Sequence, residues 1–373
     1  MTKKLTVTLL FFISILSFSQ NSSLSEKAKV SILTCGLGHE SYAMYGHTGI
    51  RIQDSLNAVD VVYNYGAFDF STPNFIGKFI KGDLQYFVTN ESFIDFYYGY
   101  QFENREIIEQ ELVLAPDKIN TLFQQLNHSV NSDERYYTYK FINRNCTTMV
   151  VDKINGILGN EYIKSNSANL SYREILYPYM RDFYMKLGIQ LIFGAKVDEP
   201  ATRLFLPYEF KESISATKVN GHPIEKRMKK ILEVNTPAST FNWLNSIYSL
   251  IAILLLLVLL RIKGIQVSYF IFAGLLGLFF SSVGLFSLHE EILWNYNILL
   301  FNPLLLIFAW YYKKGNHEKM LLFGKIILAM LLLYLAYMTT KIHLGIVWPF
   351  IALHFYWIGK IVLQIKNSNV ASV

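Results

Sequence analysis

Two rhythms of apolar and polar positions divide this chain of 373 residues. In the first half the period is two. Val30–Thr34 reads as a short apolar strand. From His47 to Gln53 the positions alternate, with Thr48, Ile50 and Ile52 on an apolar face and His47, Gly49, Arg51 and Gln53 on the other. Asp54-Ser55-Leu56-Asn57 is a turn cluster, and Val59–Tyr65 is the next strand. A hairpin turning near Ser55–Asn57 sets His47 opposite Asn64 or Tyr65. In the second half the alternation gives way to long apolar runs. Five read as membrane spans: Phe241–Leu260, Val267–Leu288, Trp294–Tyr312, Met320–Thr340 and Leu344–Gln364. Each has the length that a hydrocarbon core of ~30 Å requires.

The N-terminus adds a targeting signal. Met1-Thr2-Lys3-Lys4 is basic, Leu5–Phe18 is apolar, and Ser17-Phe18-Ser19 supplies small residues before a cut ahead of Gln20. Residues 1–19 are therefore expected to be a secretory signal peptide. Arg261, Lys263, Lys313, Lys314 and Lys319 gather on one side of the spans, and the opposite side holds His289, Glu290, Glu291 and a single Lys341. Cationic loops stay in the cytoplasm, so residues 20–240 are expected outside it. Residues 241–373 carry nine Lys and Arg against three Asp and Glu, which is the whole net charge of +6. Residues 1–240 thus balance to zero, and the basic excess belongs to membrane topology rather than to nucleic acid. The expected division is an exported α+β domain over 20–200, a juxtamembrane linker over 201–240, and an all-α membrane domain over 241–365.

Chemistry concentrates at one cysteine. Cys146 follows Asn143-Arg144-Asn145 and precedes Thr147-Thr148-Met149-Val150-Val151-Asp152, a loop turning into a helix with Asn145 or Thr147 near the N-cap. A thiol at a helix N-terminus feels the positive end of the dipole and ionises more easily. His47 is the candidate base, Asn64 the candidate partner for its far nitrogen, and Asp60 a weaker one. His39 competes as a base. Cys35, ending the first strand, fits as a buried core thiol. The same two cysteines, outside the cytoplasm, also allow a structural Cys35–Cys146 disulfide. No Gly-rich phosphate loop and no CxxC pair is present in the sequence, and no cofactor or metal is expected.

Several of these segments carry a resemblance. Gly46-His47-Thr48-Gly49-Ile50-Arg51-Ile52, Val62-Tyr63-Asn64-Tyr65-Gly66-Ala67-Phe68-Asp69-Phe70, Gly82-Asp83-Leu84-Gln85-Tyr86, Tyr137-Thr138-Tyr139 and Asn145-Cys146-Thr147-Thr148 resemble, in order and spacing, the motifs of the Lnb N-terminal periplasmic domain. His289, Asn295-Tyr296-Asn297 and Asn302-Pro303-Leu304 resemble that family's membrane half, except that Glu290 stands where the family usually has proline. The resemblance implies a permuted papain-like domain, similar to lecithin:retinol acyltransferase, in which histidine precedes cysteine, followed by a bundle of five transmembrane helices. It further implies a lipoprotein N-acyltransferase in the inner membrane, with Cys146 as nucleophile, His47 as base and Asn64 as third residue. The acyl donor would be a phospholipid and the acceptor a diacylated lipoprotein.

On that reading Phe75, Phe79, Tyr86, Phe87, Phe96, Tyr97 and Tyr98 are candidates to line an acyl groove or meet the membrane interface. His289 and Asn297 are candidates to touch substrate. Two rival readings stand beside it. One is an exported peptidoglycan amidase, endopeptidase or phospholipase of papain-like type. The other is a non-catalytic envelope scaffold stapled by the Cys35–Cys146 disulfide.

Overall fold

The computed structural model describes residues 23–38, 40–160, 162–234 and 241–371. The expected signal peptide and His39 lie outside the described residues. Alternating and β-branched positions in the first half form strands β1 (Lys29–Cys35), β2 (His47–Asp54), β3 (Val59–Ala67), β4 (Gln85–Ser92), β5 (Ile107–Leu112) and β6 (Tyr136–Thr138). With β9 (Glu225–Leu232) they build one sheet in the order β6-β4-β3-β2-β1-β5-β9, with antiparallel pairing throughout. A small hairpin, β7 (Lys218–Val219) with β8 (His222–Pro223), stands apart. Helices α1 (Phe75–Lys81), α2 (Phe93–Phe102), α3 (Pro116–Asn131), α4 (Cys146–Leu158), α5 (Tyr172–Leu176), α6 (Phe183–Ile192) and α7 (Pro207–Ala216) complete this half.

The two faces of the sheet differ, as the period-two pattern requires. Val30, Ile32, Ile50, Ile52, Tyr63 and Tyr65 pack against Leu122 and Leu126 of α3 and Val150 and Ile154 of α4. The other face holds Leu33, Cys35 and Val62 with Phe96 of α2. Arg51 on that face donates to Asp60 and Glu109 and stacks 3.3 Å over the Phe93 ring. Asp60 is therefore committed to a structural ion pair. In the observed register Asn64 pairs with Gly49, two residues from a His47–Asn64 pairing and one from a His47–Tyr65 pairing, and His47 pairs with Cys35 of β1. His47 and Gly49 share one face of β2, so His47 and Asn64 are diagonal neighbours.

The stretch expected as a linker does more than connect. Residues 201–240 contain α7 and the edge strand β9, both parts of the sheet domain. The misreading has a physical cause. β9 runs Glu-Lys-Arg-Met-Lys-Lys-Ile-Leu, and charge on an edge strand, which discourages further pairing, looks in sequence like a solvated tether.

Among the described residues, four apolar helical segments are long enough to cross a membrane: Lys263–Phe286, Glu290–Lys314, His317–Met338 and Leu344–Ser368. We label their α-helical parts α9 (Lys263–Phe286), α10 (Leu304–Lys314), α11 (His317–Met338) and α12 (Leu344–Ala371). The first expected span appears as the shorter apolar helix α8 (Ile247–Leu260). At 1.5 Å per residue, its 14 residues reach only ~21 Å. The second long segment starts as 3-10 turns, Glu290–Ile292 and Tyr296–Leu299, and becomes α-helical only after Pro303. Phe270, Phe308, Leu331, Tyr334, Trp357 and Ile358 form the centre of this bundle.

A polar seam joins the halves. The buried Arg173 guanidinium donates to Asp198 (2.9 Å), to Gln190 and to the Gly194 carbonyl. Tyr296 donates to the same aspartate at 2.8 Å, and Lys341 lies 3.5 Å from it. Leu187 and Leu191 of α6 enter the core of the membrane bundle. Helix α6 thus packs on protein through this face.

Candidate active site

Cys146 is the first residue of α4, and its position is fixed by the preceding asparagine. Asn145 Oδ1 accepts from the Thr147 and Thr148 amides, both at 2.9 Å, and Thr148 Oγ1 accepts from the Asn145 amide at 2.8 Å. This reciprocal capping box ties down the first turn. Asn145 Nδ2 also donates to the carbonyls of Phe141 and Phe205. The start of α4 is thereby anchored from both sides.

β3 approaches the cysteine through a bulge between Asn64 and Ala67. Gly66 sits there at φ +95°, and a Cβ added to it would lie 3.5 Å from the Cys146 Cβ. The positive φ suits glycine, and the bulge brings the strand close to the thiol. On the other side Thr48 of β2 shares a 3.0 Å hydroxyl hydrogen bond with Thr147. This contact locks the first turn of α4 to the strand that carries His47.

The thiol and the imidazole line the same cavity, and each shifts the ionisation of the other. His47 Nε2 lies 3.1 Å from Asn64 Oδ1, and Asn64 Nδ2 donates to Glu91 Oε1 at 2.8 Å. The direction of this chain follows from chemistry. A carboxylate only accepts, so the Asn64 amide must turn its Nδ2 toward Glu91 and its Oδ1 toward His47. Nε2 then carries the hydrogen, and Nδ1 is left for the thiol. Sequence reading had selected His47, Asn64 and Cys146. It missed Glu91, which lies on β4, a strand whose place beside β3 no local pattern announces.

The electrostatics match this order. Burial alone would raise the Cys146 pKa, but the facing imidazole, the Thr48 amide and the Thr147 hydroxyl outweigh it and hold the thiol below its ordinary value. Burial likewise works against a charged His47, yet the thiolate and the Asn64 bond prevail and hold it above the ordinary imidazole value. Each group thus shifts the other toward its charged form. Burial, with the nearby Asp95, raises Glu91, while His47 and Asn64 pull it down in part. Cys35 behaves in the opposite way to Cys146. It is fully buried, burial pushes its thiol up to about 12, and both cysteines are free. The staple that the scaffold reading needs is not formed in this structure.

Cys146, His47, Asn64 and Glu91 line a cavity of about 570 Å³, within the range of small-molecule sites. Its wall is largely aromatic. Phe75, Phe79, Tyr86 and Phe96 take part, as expected, whereas Phe87, Tyr97 and Tyr98 are not among its lining residues. Phe68, Phe70 and Tyr139, not singled out from the sequence, also line it.

The two membrane-half candidates are not brought to this cavity. His289 donates through Nε2 to the Phe79 carbonyl at 2.8 Å, and its Nδ1 lies 3.7 Å from Glu291. Asn297 is fully buried; it donates to the Leu191 carbonyl and accepts from the Tyr334 hydroxyl at 2.7 Å. Both belong to the seam between the halves. Glu291 is part of the same seam, since it accepts from the Ile142 amide through Oε1 and from the Gly194 amide through its carbonyl. Among the described residues no group of three or more His, Cys, Asp or Glu is arranged to hold a metal ion.

Glu91 offers a test of the hydrogen-bonded chain. Glu91→Gln lets the Asn64 amide reverse, and losing one hydrogen bond of ~1 kcal/mol corresponds to roughly a fivefold slower alkylation of Cys146 by iodoacetamide near neutral pH. The alkylation-versus-pH midpoint should move upward as His47 loses its fixed tautomer. A merely structural glutamate would change stability and leave that midpoint in place.

Comparison with known families matches the two halves separately. Residues 17–177 match the Lnb N-terminal periplasmic domain, and residues 229–368 match the Lnb transmembrane domain. No curated protein and no solved structure matches the chain.

Proposed function

We infer that this chain, which belongs to the Lnb family through both of its halves, is a lipoprotein N-acyltransferase held in the inner membrane with its catalytic domain in the periplasm. The observation that carries this reading is the Cys146–His47–Asn64–Glu91 chain at an aromatic cavity whose wall, at Phe79, is fastened to the membrane half. Histidine precedes cysteine along the chain, which supports a permuted papain-like arrangement.

The reaction is a two-step transfer. The Cys146 thiolate attacks an ester carbonyl of a membrane phospholipid, and a sulfur–carbon bond forms. The ester carbon–oxygen bond breaks, and the leaving alkoxide takes the proton from the His47 imidazolium. The products are an acyl-thioester on Cys146 and a lysophospholipid. The α-amine of a diacylated lipoprotein then attacks the thioester, His47 takes the amine's proton, and the thiolate leaves. The product amide is the N-acylated lipoprotein.

The first turn of α4 supplies the electrostatics. The Thr147 and Thr148 amides are taken by Asn145 Oδ1, and the Met149 amide donates to the Asn145 carbonyl. This leaves the Cys146 amide to face the developing oxyanion. An aromatic cavity excludes water and favours attack by the amine over hydrolysis. It suits an acyl chain better than a glycan strand, which ranks the transferase above the peptidoglycan-hydrolase reading.

The test is mass spectrometry of the N-terminal peptide of a reporter lipoprotein, in a host lacking its own N-acyltransferase and expressing this chain. A third acyl chain is expected. A peptide that stays diacylated despite good expression removes the transferase reading and makes phospholipid or peptidoglycan hydrolysis the leading one.

A further inference from the structure

Helix α1 is unusual for a helix outside the membrane bundle. Its sequence is Phe-Ile-Gly-Lys-Phe-Ile-Lys, and none of its residues is buried. Ile76 is 72% exposed, and Phe79 and Ile80 are each 50% exposed. A helix this short is marginal in water, and an apolar surface of this kind on a small element marks a contact.

The contact is indicated by what holds the helix. Its last carbonyls are gripped by the segment that leaves membrane helix α9. Ser287 Oγ donates to the Ile80 carbonyl at 2.8 Å, the Leu288 amide to the Lys81 carbonyl at 2.6 Å, and His289 Nε2 to the Phe79 carbonyl at 2.8 Å. Gly82 ends the helix at φ +77°, and a Cβ there would lie 3.1 Å from the His289 ring. Glycine therefore permits both the turn and the close approach. Lys140 completes the clasp by donating to the Leu288 carbonyl at 2.9 Å. The end of α9 next to this clasp is itself exposed and apolar, with Leu285 at 90% and Phe286 at 60%. The apolar surface of α1 is thus continuous with that of a membrane-crossing helix. Lys78 stands on the same short helix, and so does Lys81, whose ammonium is paired with Asp83 at 2.6 Å; a cation at this position would favour anionic phosphate head groups.

The helix also borders the cavity. Phe75 and Phe79 line it, and Phe75 lies 5.1 Å from the Phe70 ring and 5.9 Å from the Phe68 ring. Phe68 lies 5.3 Å from Tyr86, which stacks at 4.3 Å on Tyr139. Aromatic rings therefore run from the exposed helix into the cavity that holds Cys146.

We propose that α1 lies in the head-group region of the periplasmic-side leaflet with Ile76, Phe79 and Ile80 among the acyl chains, and that a lipid acyl chain enters the cavity past Phe79. The seat in the leaflet stands on its own; the entry route rests on the acyl-transfer reading.

The seat is tested by spin labels on the full chain in phosphatidylethanolamine–phosphatidylglycerol vesicles. Single cysteines at 76 and 80 are made in a Cys146→Ser background, where Cys35 is buried and does not label. Position 285 on α9 serves as the lipid reference and position 124, exposed on α3, as the water reference. Labels at 76 and 80 are expected to collide preferentially with oxygen, as at 285. Preference for a water-soluble nickel chelate, as at 124, overturns the seat. Shielding from both quenchers also overturns it, because protein would then cover the helix.

The route is tested with Cys146 intact. Ile76→Glu/Ile80→Glu is expected to lower hydroxylamine-sensitive acylation of Cys146 from vesicle lipid about tenfold or more, since carboxylates resist entering hydrocarbon. Alkylation of Cys146 by iodoacetamide should be unchanged. Equal acylation in the variant overturns the route. If the native chain never acquires an acyl group while 76 and 80 lie in lipid, the failure belongs to the transferase reading and the seat stands.

Discussion

Replacing Cys146 with serine is expected to lower formation of the third acyl chain by about 10³-fold or more, the scale on which removal of a nucleophile acts. The substitution is nearly isosteric, so the capping box of Asn145 and Thr148 and the Thr48–Thr147 contact have no reason to change. What changes is acidity. The facing imidazole and nearby donors hold the Cys146 thiol below its ordinary value against the effect of burial, whereas a serine hydroxyl starts several units higher and stays neutral beside the same imidazole. The covalent intermediate gives a second readout. Native protein incubated with vesicles should carry an acyl group on the Cys146 peptide that hydroxylamine releases, as thioesters require, and the serine variant should carry none. A third chain that persists at native levels in the serine variant would keep the activity and move its chemistry away from Cys146.

How much of this site was legible in the sequence depends on how local each signal is. The apolar and polar faces of β2 were legible because side chains alternate strictly along a strand. The helix start at Cys146 was legible because Asn145 and Thr148 are a local capping pattern. Asn64 was reached through the hairpin, and the observed pairing of Asn64 with Gly49 keeps it on the face of His47 although the register differs from the expected one. Glu91 was not legible. It meets Asn64 only because β4 lies beside β3, with α1 and the segments flanking it between the two strands. β9 was missed because its charge masks its alternation, and its partner β5 is more than 100 residues away. The role suggested for Asn297 came from resemblance, and that for His289 from resemblance together with its place on the exported side. Packing places both in the seam, where their hydrogen bonds go to backbone carbonyls and to Tyr334.

The seam gives the membrane half a role that a simple tether would not have. Glu291 and Leu288 reach the segment just before Cys146, through the Ile142 amide and Lys140, while the neighbouring Ser287 and His289 hold α1. One loop of the membrane half therefore touches both the segment leading to Cys146 and the aromatic wall of the cavity. On the acyl-transfer reading proposed above, a site fixed in this way to the membrane half keeps a constant height above the bilayer. For two substrates that are both confined to that bilayer, a fixed height raises the effective concentration of each.

His47 carries the second large effect. His47→Ala is expected to slow acyl transfer by about 10²- to 10⁴-fold, the usual contribution of a positioned acid–base group. It should also change the pH dependence of Cys146 in a direction that can be worked out. In the native protein the thiol pKa is lowered and the imidazole pKa raised, each chiefly by the other in opposition to burial. Both shifts favour the thiolate–imidazolium pair over the neutral one. Transfer should fall at acid pH as Cys146 takes up its proton, and at alkaline pH as His47 loses the proton that the leaving alkoxide needs. Without His47 the thiol keeps the burial that raises its pKa and loses the charge that lowered it. Its alkylation midpoint must then move upward. The measurement is the rate of iodoacetamide capture by the Cys146 peptide of the full chain between about pH 5 and 10, a range that brackets the ordinary thiol value of ~8.5. Cys35, with its thiol pushed up to about 12, serves as the silent control in the same digest. An unchanged midpoint in His47→Ala would show that the two groups are not coupled, and the base would have to be sought elsewhere. Asn64→Ala should move the midpoint the same way by less, because it frees the imidazole to reorient and leaves its charge near the sulfur.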